Sequence, residues 1–366
     1  MIEEFYKNFK VRDYMDDNIL REQSLDNIID CSLGTNDFID ENMIKKYILQ
    51  SNYELNKYPI KEYELLKDEI LKFWKDYTYC ELDYNNISFG AGIMGILRNI
   101  SEFLMNEKTK ILGVTPQFPR FVSEVELKKA MYEYYSMDEK NNYKFIVEEF
   151  LNKLNKRYDL IHIENPNNPT GQIIDIKDIE KIVKKAEKYN SIVIIDEAYG
   201  EYMECDNSAI TLIGKYDNLV VLRSASKFYG LPNHRVGYLF ASKEFLKVYN
   251  EITIPFPFSD LSANVFRNLL KNYKELEYTK QKVVEINKKI YKALNEENYL
   301  FTNVSTPIFT IKSDKYKNLS NELRKRGIIA ENCITYLNLD SSYARLRIPR
   351  EWQKFLKIIK KLLTNV

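Results

Sequence analysis

Only two histidines, His162 and His234, occur in 366 residues. A histidine-rich metal centre or a Ser-His-Asp triad therefore has little to build on. Cysteine is scarce too. Cys31, Cys80, Cys205 and Cys333 lie far apart, without metal-ligand spacing, and scattered thiols fit a reducing cytoplasm. Charge of one sign is missing: 54 Lys and Arg against 53 Asp and Glu leave a net +1, which makes no electrostatic case for nucleic acid. No apolar run is long enough to span a bilayer, so no membrane association is expected. The opening Met1-Ile2-Glu3-Glu4-Phe5 carries early acids and does not read as a signal peptide. Internal repeats and low-complexity linkers are also lacking.

What is present is alternation. From about residue 41 to 245, helical patterns alternate with short apolar runs such as Lys110 to Val114, Ser191 to Ile195 and Leu219 to Leu222. That pattern predicts α/β architecture, with a mainly parallel sheet sandwiched by helices. Residues 1–40 read as an arm with a short helix. From 246 to 366 a charged helical stretch, broken at Ile254-Pro255-Phe256-Pro257, leads to candidate strands at Pro307 to Ile311 and Ala344 to Ile348 and a helix from Glu351. The expected organisation is an arm, a large domain over 41–245 and a smaller α+β domain over 246–366. Two lobes suit this length.

Chemistry concentrates at three strand ends. Leu219 to Leu222 is followed by Ser224-Ala225-Ser226-Lys227, with Arg235 close behind. Ligands collect at the carboxyl ends of strands in open α/β sheets. A lysine leaving a buried strand near an arginine is set up to be partly neutral and to attack an aldehyde. Two hydroxyls and a guanidinium suit a phosphate dianion. Aldehyde and phosphate together describe pyridoxal 5′-phosphate; the plainer alternative is a surface lysine after a strand, with serines serving the turn. Ile192 to Ile195 runs into Asp196, a carboxylate able to keep a pyridine nitrogen protonated, and Tyr199 follows within reach of the ring's phenolic oxygen. Leu160 to Glu164 leads into Asn165-Pro166-Asn167-Asn168-Pro169-Thr170-Gly171, a turn that would fix the Asn168 amide as a second donor to that oxygen. Strands often end in Asp and Asn-Pro runs are often only turns, but three such ends in one chain converge on one cofactor.

Gly90-Ala91-Gly92-Ile93-Met94-Gly95 spells G-x-G-x-x-G between a candidate strand and a helix, as a dinucleotide fingerprint does. The next strand, however, ends in Gly113-Val114-Thr115-Pro116, with no carboxylate for a ribose. A glycine-rich turn at a helix N-terminus holds any phosphate through its free amides.

Asn168-Pro169-Thr170-Gly171, Asp196-x-x-Tyr199 and Ser224-x-Ser226-Lys227 with Arg235 together resemble the class I/II aminotransferases. These are fold-type I, pyridoxal-phosphate-dependent enzymes, and the chain is most similar to the histidinol-phosphate aminotransferase and threonine-phosphate decarboxylase branch. The resemblance runs from about Asp30 to Arg350. It implies a Schiff base on Lys227, which then acts as general base at the substrate Cα. It puts the Gly92 and Ile93 amides in the phosphate cup with Ser224, Ser226 and Arg235, and Phe118 against the pyridine ring, where residue type alone suggests only a core phenylalanine. It implies a homodimer in which Tyr58 reaches the neighbouring subunit's phosphate, and it makes Arg347 the substrate-carboxylate residue, with Gly34 nearby. Arg345, two residues away, is not distinguished from Arg347 by sequence.

Departures fall on the substrate side. Gly34 stands where many relatives carry asparagine, Met94 where a polar residue is common, Asn233-His234 where small or apolar residues precede the arginine, and Glu331 where histidinol-phosphate enzymes usually show arginine. The function expected is transfer of an amino group between an amino acid and a small keto acceptor, phosphorylated or not. Decarboxylation of a small phosphorylated amino acid is the alternative. A cofactor-binding sensor has less support, since no effector module is appended and Lys227 is retained. The substrate, and the roles of His234 and Arg120, stay open.

Overall fold

The computed structural model describes residues 28–51, 56–78, 80–294 and 298–364. Most of the expected arm, residues 1–27, lies outside them. The remainder of that segment forms β1 (Ile29–Asp30), which pairs in parallel with a two-residue strand at Ile328–Ile329.

The apolar runs become strands of one seven-stranded sheet: β2 (Ile87–Ala91), β3 (Lys110–Thr115), β4 (Met131–Ser136), β5 (Leu160–Glu164), β6 (Ile192–Asp196), β7 (Leu219–Ser224) and β8 (Val236–Phe240). Their order is β2-β8-β7-β6-β5-β3-β4. Only β8 runs against the rest, antiparallel to both of its neighbours, so the sheet is mainly parallel as expected. Helices cover both faces, which is why Ile192-Val193-Ile194-Ile195 is apolar throughout rather than alternating. Side chains still alternate in direction. Val193 and Ile195 join the core on one face. Ile194 packs on the other with Leu160, Val220, Leu222 and the helix Gly92–Leu104.

A second sheet orders β11 (Glu331–Asn332), β12 (Tyr343–Arg347) and β9 (Ile308–Lys312) antiparallel; β10 is the Ile328–Ile329 strand that pairs β1. The helix Trp352–Thr364 follows. Among the described residues no helix is long and apolar enough to cross a membrane.

Candidate active site

The alternation that buries Leu160, Ile194 and Leu222 carries Glu164, Asp196 and Ser224 onto the same face at the strands' carboxyl ends. All three line one cavity of about 450 Å³, within the ~300–1,000 Å³ typical of small-molecule sites. Gly34, Ile93, Phe118, Asn168, Tyr199, Ser226, Lys227 and Arg235 line it too. Sequence candidates spread over some 200 residues therefore meet in one place.

One end of the cavity is built for an oxyanion. Ser226 N–H donates to Ser224 Oγ at 3.0 Å, and the two hydroxyl oxygens lie 2.9 Å apart. Arg235 comes from the turn before β8 in a left-handed conformation, φ 53°, and donates to Pro232 O at 3.1 Å. Gly92 opens the adjacent helix at φ +67°, and a Cβ there would lie 2.5 Å from Arg235 Nη2. Glycine is needed at 92 both for its backbone and for that approach. No side chain caps this helix's first turn, so its N–H groups are available to an anion.

The middle of the cavity is carboxyl-rich. Asp196 accepts from Ala198 N–H at 2.9 Å, and burial pushes it up to about 7 despite the opposing pull of Lys227. Glu164, not singled out by sequence, sits beside it as its register partner. It accepts from Phe118 N–H at 2.9 Å and Asn168 N–H at 3.0 Å, so it orders both turns that bear site residues. Burial, then the charge of Asp196, raises it well above the carboxylate range. The only signal available was a carboxylate at the end of an apolar strand. Lys227 Nζ stands 5.4 Å from the centre of the Tyr199 ring, and burial raises the Tyr199 hydroxyl.

The far wall differs from expectation. Arg345, not Arg347, lines the cavity. Both point the same way from β12, but Asp37 holds Arg347 Nη1 at 2.8 Å and Asp30 O accepts from its Nη2, which keeps it behind the wall. Arg345 Nη2 pairs with Glu331 Oε2 and donates to Ser32 O. Tyr336, also missed, donates to Glu331 Oε1 at 2.7 Å and lies 3.2 Å from Asn168 Oδ1. Tyr58 does not line the cavity: it is 79% exposed and stacks on Phe256 at 5.3 Å.

A parallel sheet with a lysine, a carboxyl and an anion cup at its strand ends defines a cofactor-dependent transferase site, and residues 28–350 match the family Aminotransferase class I and II. The chain belongs to that family. It is 28% identical over 345 residues to a histidinol-phosphate aminotransferase of Methanococcus aeolicus, covering 92% of this chain and 91% of that one. The solved histidinol-phosphate aminotransferase of Clostridium acetobutylicum superposes with TM-score 0.81 at 23% identity, covering 93% of this chain and all of that one. That of Sinorhizobium meliloti, solved with pyridoxal-5′-phosphate, does so at 0.79 and 18%, covering 97% and 96%. This protein is a pyridoxal-phosphate-dependent aminotransferase. The residues present fit that cofactor: Asp196 is a buried carboxyl at the cavity able to face a protonated ring nitrogen, and the Gly92–Arg235 cradle has room that a Cβ would fill.

Proposed function

We propose that this cavity moves an amino group between an amino acid and a small keto acceptor through Lys227, with one substrate bearing an acidic group. The observation that carries the reading is the convergence of Lys227, Asp196 and the Ser224–Ser226–Arg235 cup on one cavity. Lys227 Nζ would hold the cofactor's aldehyde carbon, Ser224, Ser226, Arg235 and the Gly92 and Ile93 amides its phosphate, and Phe118 its ring face. When bound, the cofactor supplies an electron sink for the negative charge left at the substrate Cα. The chain's own residues do the rest. Lys227 Nζ removes the Cα proton of the amino donor and, in the reverse half-reaction, gives a proton to the Cα of the keto acceptor. Asp196 keeps a proton on the ring nitrogen. Tyr199 and Asn168 donate to the ring's phenolic oxygen, and Tyr336, on Asn168 Oδ1, leaves Nδ2 as the donor end. In this reading Arg347 is the carboxylate residue, and a substrate must compete for it with Asp37.

The phosphorylated substrate named for the Methanococcus aeolicus relative is carried over as a proposal for the acidic partner. A screen of amino donors and acceptors by mass spectrometry tests the function. A keto product with retained carboxyl supports it, and stoichiometric carbon dioxide would replace transamination by decarboxylation.

Three further parts of the reading concern organisation. The seven-stranded sheet within residues 87–240 and the three-stranded sheet within 308–347 support an arm to about residue 40, a cofactor domain over 41–245 and a smaller domain over 246–366. Tyr58, Ile60 and Ile254 are large, apolar and exposed together with the Tyr58–Phe256 stack, which supports a homodimer whose Tyr58 reaches the partner's phosphate cup. Light scattering at twice the chain mass, and weaker cofactor retention in Tyr58→Phe, test it; full activity in a stable monomer rejects it. Four free cysteines, two of them buried, support the cytoplasm.

A further inference from the structure

The charged residues of the cavity are Lys227, Arg235 and Arg345 against Glu164, Asp196 and Glu331. Lys227, Arg235 and Asp196 belong to the cofactor in the reading above, and Glu164 to the two turns it ties. Arg345 and Glu331 remain, and they belong together. They are cross-strand register partners of β12 and β11, each 3% exposed. Glu331 uses both oxygens, one on Arg345 Nη2 and one on the Tyr336 hydroxyl. A carboxylate so occupied aims a guanidinium; it does not itself meet a ligand. Arg345 Nη2 is turned back toward Ser32 O, while the Nη1 side faces Gly34. A Cβ at position 34 would overlap the Tyr199 hydroxyl and lie 3.1 Å from Arg345 Nη1. The missing side chain at 34 thus lets the Tyr199 hydroxyl and the Arg345 Nη1 edge pack close against the backbone at the cavity wall.

We infer that Arg345, which lines the cavity and is aimed by Glu331, selects substrates that carry a second oxyanion, phosphate or carboxylate, beyond the reacting carbon. A guanidinium fixed on one edge presents another to an oxyanion with little left to order. The inference rests on the site reading above, and it separates Arg345, which recognises the distal group, from Arg347, which takes the carboxylate on the reacting carbon.

The test uses holoenzyme and the cofactor's visible absorbance, with alanine, glutamate and phosphoserine as donors. Alanine carries only the carboxylate next to the amine; glutamate and phosphoserine add a distal carboxylate or phosphate, and the two arms tell the sources apart. Because losing one partner of a buried pair strands the other, the main variant removes both charges, Arg345→Gln with Glu331→Gln. Arg345→Lys is a second probe that leaves the pair's charges in place. The expected result is a fall in kcat/KM, carried mainly by KM, at least tenfold greater for one or both anionic donors than for alanine. That margin is what losing a charged hydrogen bond, worth roughly 10- to 100-fold, allows. Arg345→Lys should recover part of the loss. Equal losses on all three donors would overturn the inference and leave Arg345 a general or structural residue. If wild type turned over none of the donors, the transaminase reading of the site would fail. Calorimetric binding of phosphoserine would then decide the inference alone, with undiminished affinity in the variants rejecting it.

Discussion

Glu164 and Asp196 stand side by side as register partners at the carboxyl ends of β5 and β6, both buried and both facing the cavity. Two carboxyl groups so placed cannot both ionise cheaply, and their protonation belongs to the pair. Burial, and then the charge of Asp196, raises Glu164 well above the usual range. Glu164→Gln should cost roughly 1–3 kcal/mol, because Gln has one acceptor oxygen for the two N–H groups of Phe118 and Asn168. Urea unfolding of wild type and variant measures it, and no loss would mean that the turns do not depend on this carboxyl.

Lys227→Ala should remove covalent attachment of cofactor and lower turnover by roughly 10²- to 10⁴-fold, the range for losing a general base. Borohydride followed by intact-mass measurement should add cofactor to wild type and not to the variant. Retained attachment would place the reactive amine elsewhere.

Asp196→Asn should fold, since the change is isosteric, yet lose roughly 10- to 100-fold in kcat, as expected for a charged hydrogen bond to the ring. Tyr199→Phe should cost less, because Asn168 still donates to the same oxygen. Steady-state kinetics on both separates an electronic role for Asp196 from that of a strand terminus.

Arg223 is buried on the opposite face of β7, 3.3 Å from Glu197 and 3.6 Å from Glu201, with its guanidinium 4.7 Å from the Trp74 ring centre. Removing it takes the paired cation from two buried carboxyl groups. Arg223→Met should therefore destabilise by about 3–5 kcal/mol, read from urea midpoints, with the folded fraction still binding cofactor.

His162 stacks on Phe121 at 3.7 Å, and burial lowers it from 6.5 to about 3. Between those values the unfolded chain binds a proton that the native protein refuses, so stability falls as pH drops below about 6.5. By pH ~4 this group alone should cost about 3 kcal/mol. His162→Phe keeps the stacked ring without the titration, and its stability should decline less steeply over the same window in pH-dependent urea melts.

The strand ends and the residues that leave them were legible in the sequence. Asp196, Ser224 and Lys227 follow apolar runs whose length and flanking turns define a buried strand, and alternation within the strand sets which face each side chain takes. The Gly92 turn was legible as a tight turn opening a helix for the same local reason. Arg345 against Arg347 was not legible, because both occupy the same face of β12. What separates them is Asp37, some 300 residues earlier in the chain, which holds Arg347 back, and Glu331 on the neighbouring strand, which holds Arg345 forward. Glu164 escaped notice because a carboxylate ending a strand says nothing until Asp196 is known to lie beside it. Local sequence determined the strands and the chemistry at their ends. Only tertiary packing decided which charges face each other, because electrostatic pairing depends on distance in space and the residues concerned are far apart along the chain.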